Sequence, residues 1–185
     1  MAEKSSTSES VRPEDMISYF LKPSQYISFS PPAIGKEEEI EVLDSLRSGW
    51  ITTGPKVKEF EKRIAEYVQS KEAVAAFSCT DAMHLALNTL GIKEGDEVIT
   101  TPYTFASTAH VICYQRAKPV FIDVEADSFN IDPKKIEEKI TPNTKAILPV
   151  HFAGHACDMD PIMAIAEKYS LRVVEDAAHA IGTSY

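Results

Sequence analysis

Between residues 36 and 69 the apolar side chains recur with helical spacing. Lys36–Ser48 places Ile40, Leu43 and Leu46 on one side and stops at Gly49. Lys56–Gln69 aligns Val57, Phe60, Ile64 and Val68 in one stripe, with charges opposite. Pro55 stands at the start of this second helix, where a missing N–H does no harm. After residue 70 the pattern changes. Ala73–Phe77, Glu97–Thr101, Pro119–Val124, Lys145–Val150 and Leu171–Glu175 are short, continuously apolar runs and read as strands. Asp81–Leu90, Phe105–Gln115, Pro133–Ile140 and Pro161–Tyr169 lie between them and read as helices. Strands without polar alternation belong to a parallel sheet covered on both faces. The alternation of strand and helix therefore predicts an α/β fold, a mostly parallel sheet between helices. Residues 1–24, rich in Ser, Thr, Glu and Pro, read as a mobile arm with one helical turn near Met16–Leu21, and 25–185 as the folded part.

Composition narrows the function. A chain of 185 residues suits one domain plus an arm. The net charge of −9 speaks against nucleic acid or an anionic membrane as partner. No run approaches the ~18 apolar residues of a membrane span, and MAEKSSTSES lacks the apolar stretch of a signal peptide. A cytoplasmic protein is expected. Cys79, Cys113 and Cys157 lie far apart, which excludes a disulfide scaffold and a closed zinc site. His151, His155, Cys157, Asp158 and Asp160 fit no common zinc spacing, so no metal is expected.

Ligands of such sheets bind beyond the carboxyl ends of the strands. Ser78-Cys79-Thr80-Asp81 opens a helix there, either as a simple cap or as a phosphate cradle. Tyr103 and Phe105 follow the second run, either as core or as a surface that stacks on a flat ring. Asp176 closes the last run, ahead of Ala177-Ala178-His179. A carboxylate in that place needs a partner. It either caps the next turn or pairs with a protonated ring nitrogen, as pyridoxal phosphate requires. Neither a GxGxxG fingerprint nor a P-loop is present. Cradle, aromatic and acid make three parts of a pyridoxal phosphate site; the fourth is a lysine.

Several blocks carry a resemblance in chain order from about Tyr26 to Tyr185. They are Gly49-Trp50-Ile51-Thr52-Thr53-Gly54-Pro55, Thr80–Leu87, Gly95–Ile99, Pro119–Val124, Ile140–Ile147, Pro149-Val150-His151 and Glu175–His179. The chain resembles the DegT/StrS family of sugar aminotransferases. The resemblance implies the large domain of a fold-type I pyridoxal 5′-phosphate transferase. Its substrates would be a nucleotide-linked keto deoxy sugar and an amino-acid donor, glutamate in most members, and it would work as a homodimer. By resemblance Thr80 and Asp81 hold the cofactor phosphate, and Phe105 stacks on its ring. Asp176 pairs with the ring nitrogen, His179 lies against the ring, and Thr53 and Gly54 shape the sugar end. Cys79 stands where glycine or alanine is more usual. The family's Schiff-base lysine falls beyond Tyr185, so the chain is expected to be a truncated N-terminal portion, inactive and prone to association alone. Within the family, sugar deoxygenation is the alternative chemistry; a truncated product without catalytic role is the other reading.

Overall fold

A computed structural model describes residues 31–185. The expected arm at 1–24 lies outside the described residues. The chain divides into two compact units, one ending at Thr52 and one spanning Thr53–Tyr185.

In the first unit, helix α1 (Lys36–Ser48) begins with Glu37, Glu38 and Glu39, whose charges favour a helix N-terminus. The Glu38 carboxylate accepts the Gly35 N–H at 2.6 Å. Gly49 ends the helix in the left-handed conformation, φ 72°.

The second unit runs α2 (Pro55–Tyr67), α3 (Cys79–Thr89), β1 (Glu97–Thr100), α4 (Ser107–Tyr114), β2 (Lys118–Phe121), β3 (Thr144–Ile147), α5 (Met159–Tyr169) and β4 (Arg172–Val173). The four strands form one sheet in the order β2-β1-β3-β4, and every pair is parallel. Val98 faces Pro119 on one side and Ala146 on the other, which fixes the register of the centre. Alternate residues of a strand point to opposite faces. Val98 and Ala146 accordingly join Met83, Leu87, Val111 and Ile112 in one core, while Ile99 and Ile147 join Ile122, Ile136 and Ile162 in another. The central strands thus carry a core on each face of the sheet, as a buried parallel sheet requires.

Two expected elements differ. Residues 73–77 form no strand and pair with none of the described strands. Val74 and Phe77 are 79% and 103% exposed. Their apolar character marks a segment that wants cover, but a strand also needs a hydrogen-bonded neighbour. The helix expected over 133–140 is instead two 3₁₀ turns, Pro133–Lys135 and Glu137–Lys139. They hinge on Ile136, which is fully buried in the core. One apolar anchor with i→i+3 hydrogen bonds on each side favours tight turns over a longer α-helix.

Candidate active site

The strand order reverses between β1 and β3: β2 lies outside β1, and β4 outside β3. A crevice opens beyond the carboxyl ends of strands at such a reversal. Here it is a cavity of about 220 Å³, whose lining includes Tyr103, Phe105, His151, Phe152, Asp176 and His179. Pairing beyond the regular strands sets its walls. Leu148 N–H donates to Ile99 O at 2.7 Å, Asp176 N–H to Pro149 O at 2.9 Å, and His151 N–H to Asp176 O at 3.1 Å.

Asp176 is 5% exposed. Its Oδ2 accepts the Thr108 hydroxyl at 2.8 Å. Its Oδ1 accepts the Cys79 thiol at 3.5 Å and the Ala178 N–H at 3.3 Å. Among the described residues no lysine, arginine or histidine pairs with it. The site thus keeps a buried acid with polar donors but no cation. Burial first, and then the Asp176 charge, push the Cys79 thiol up to about 11, so it stays protonated at neutral pH.

Phe105 and His179 share the cavity with Asp176 and are exposed at its rim. Thr80 and Asp81 sit in the first turn of α3, outside the lining. That turn reaches the cavity wall through Cys79. The Asp81 N–H is engaged by Ser78 Oγ at 3.1 Å, an N-cap. Thr53 and Gly54 lead into α2 and do not line the cavity.

Sequence reasoning passed over Thr108 and Asn130, and missed the pairing of His151 with Glu175. Thr108 lies in an apolar helix and is fully buried, and a polar residue in such a run is the signal that could have marked it. Asn130, 2% exposed, ties down the loop before α5. Its Nδ2 donates to His155 O and Ala156 O at 3.0 Å each, and its Oδ1 accepts the Phe152 N–H at 3.0 Å. His151 Nε2 lies 2.8 Å from Glu175 Oε2. The Cys157 and Glu175 side chains, in that order, act to push the imidazole up to about 9. The hydrogen bonds oppose the first of these. Cys157 meets Nδ1 with its backbone N–H at 3.1 Å, while its thiol donates to Val150 O at 3.2 Å. Nδ1 must keep its lone pair for that N–H, so the ring is held neutral, with Nε2–H donating to Glu175.

Tyr103, Phe129 and Phe152 make an aromatic wall beside the cavity, with Tyr103 5.3 Å from Phe129 and 4.8 Å from Phe152 between ring centroids.

Residues 32–185 match the DegT/DnrJ/EryC1/StrS aminotransferase family. The chain belongs to that family. It is 53% identical over 164 residues to the spore coat polysaccharide biosynthesis protein SpsC of Bacillus subtilis, covering 89% of this chain and 42% of SpsC. Among solved structures it resembles Spr1654 of Streptococcus pneumoniae in its PMP form, at TM-score 0.83 and 41% identity, covering 86% of this chain and 44% of that one. It also resembles DesV of S. venezuelae in complex with a ketimine intermediate, at TM-score 0.76 and 38% identity, covering 78% and 40%. Spr1654, by its name a sugar aminotransferase, is solved in both PMP and PLP forms, and the α/β fold of this chain is that of the fold-type I aminotransferases among these structures. The chain spans about two fifths of the length of the relatives it matches.

Proposed function

We propose that the cavity receives the pyridine ring of pyridoxal 5′-phosphate. On this reading the chain forms part of an aminotransferase that carries an amino group from an amino acid, glutamate, to a keto group of a nucleotide-linked deoxy sugar. The observation that carries the proposal is Asp176: a buried carboxylate on the cavity wall, without a cation among the described residues. A protonated ring nitrogen is the partner such a group lacks.

When bound, the cofactor supplies an electron sink and a carrier for the amino group. The protein's part follows from its residues. Asp176 holds the proton on the ring nitrogen. Phe105 covers the ring by stacking, which leaves its exposed apolar face a use. His179 serves the ring and its phenolic oxygen. Thr80 and Asp81, at the start of α3, take the phosphate, where the first-turn N–H groups lack intrahelical partners. The Asp81 N–H leaves Ser78 Oγ in doing so. Thr53 and Gly54 shape the sugar end. SpsC, by its name a polysaccharide biosynthesis protein, supports a sugar substrate destined for a glycan. The enzyme works in the cytoplasm as a homodimer.

The test is a fluorescence titration of the purified protein with pyridoxamine 5′-phosphate. Saturable binding is expected, weakened at least about tenfold by Asp176→Asn, which removes the charge and keeps the shape. Equal affinity in both proteins overturns the reading.

A further inference from the structure

The donors around Asp176 determine which acceptor position remains open. A carboxylate offers about four lone-pair positions, two on each oxygen. On Oδ1 both are occupied, by the Cys79 thiol at 3.5 Å and the Ala178 N–H at 3.3 Å. On Oδ2 one is occupied, by the Thr108 hydroxyl at 2.8 Å. Thr104 Oγ1 lies 2.8 Å from Thr108 Oγ1. The single Thr108 proton is committed to the carboxylate, so Thr104 must be the donor in that pair. The result is a directed chain from Thr104 through Thr108 to Asp176. Each link polarises the next, as hydrogen bonds in series do in a low-dielectric interior.

We propose that Thr108, backed by Thr104, and Cys79 are positioning residues for Asp176. They fix the plane of its carboxylate from opposite ends and leave one acceptor position, on Oδ2, to receive the N–H of a cationic heteroaromatic ring. The proposal rests on the cofactor reading for the identity of that ring, and on geometry for the rest. Cys79, Thr108 and Asp176 come from three places in the fold: the first turn of α3, the first turn of α4 and the segment after β4. The carboxylate is therefore held by the packing of the sheet and its helices, and it cannot swing to follow a ligand. Thr108 is fully buried, so its hydroxyl has no access to water as a substitute partner.

Two measurements test this and separate it from the cofactor reading. The first needs no cofactor. The pH dependence of alkylation of Cys79 is followed in a Cys113→Ser background, since Cys113 is the exposed thiol. Cys79 reacts about a hundredfold more slowly at pH 8 than an ordinary thiol, because its ionisation is pushed from 9.0 up to about 11. Asp176→Asn moves the profile back toward ordinary values. An unchanged profile overturns the assignment of the thiol to Asp176.

The second measurement is the affinity for ¹⁵N-labelled pyridoxamine 5′-phosphate together with the chemical shift of its ring nitrogen. Thr108→Val weakens binding about tenfold, the effect of losing a hydrogen bond to a charged group, and moves the nitrogen shift toward that of the neutral ring. Thr108→Ser, which keeps the hydroxyl, restores both. A purely structural role would be read as lost affinity with an unmoved nitrogen shift, and that result overturns the proposal. If the unaltered protein fails to bind the probe while Asp176→Asn still shifts the Cys79 profile, the positioning of Asp176 stands and the cofactor reading falls.

Discussion

Gly154→Ala should destabilise the protein through one close approach. Gly154 lies in the turn after β3 at φ +83°, and a Cβ there would meet the His179 carbonyl oxygen at 2.8 Å. The two segments are also tied by the Thr183 hydroxyl, which donates to Gly154 O at 2.8 Å. Two costs add. A non-glycine residue in the left-handed region costs about 1–2 kcal/mol, and an overpacked contact against fixed backbone costs about 1–3 kcal/mol. The sum is about 2–5 kcal/mol, or roughly 4–20 °C in Tm at about 2–4 °C per kcal/mol for a chain of this size. Gly95→Ala separates the two. Gly95 has φ +91°, yet a Cβ there meets nothing within 4 Å. It should show the conformational cost alone, about 1–2 kcal/mol. Urea unfolding of both variants against the unaltered protein measures the difference. If Gly154→Ala costs no more than Gly95→Ala, the turn yields freely and the reasoning about a rigid junction with the His179 segment fails.

Two further outcomes follow from the cavity walls. Asn130→Ala leaves three backbone groups of the 152–156 loop without their partner; it should cost about 2–4 kcal/mol in urea unfolding, and a loss under 1 kcal/mol would show that water replaces the amide. The Glu175 carboxyl is held below its ordinary range chiefly by the hydrogen bond from His151. A depressed carboxylate stabilises fully above its unfolded pKa of about 4.3 and loses that contribution as pH falls through the folded value. Stability of the unaltered protein should therefore fall more steeply than that of Glu175→Gln between about pH 5 and pH 3, and parallel curves would refute the coupling.

The parallel sheet was legible because its central strands β1 and β3 carry apolar residues on both faces. The same signal misled at 73–77, since hydrophobicity reports a demand for cover and says nothing of a hydrogen-bonding neighbour. Pro133–Ile140 misled because Ile136 and Ile140 satisfy a helical spacing as well as a pair of turns. Asp176, Phe105 and His179, all in the cavity lining, could be singled out because they follow the carboxyl ends of strands. Thr108 was hidden in the first turn of a mostly apolar helix, since its contact with Asp176, 68 residues away, arises only through tertiary packing. The His151–Glu175 pair was hidden for a related reason: 24 residues separate its members, and the parallel pairing of Val150 with Asp176 brings their neighbours together.

The two cores share one sheet only a single residue thick. Val98 and Ile99 are consecutive yet belong to different cores, as do Ala146 and Ile147. Neither core can open without tearing the strands that wall the other. Amide hydrogens of β1 and β3 should exchange with deuterium only when the whole second unit unfolds, whereas α2, which buries no residue, should exchange by local fraying. The protection pattern of this unit is then a step, high across the central strands and low along α2, and the fixed carboxylate of Asp176 hangs from its most protected part.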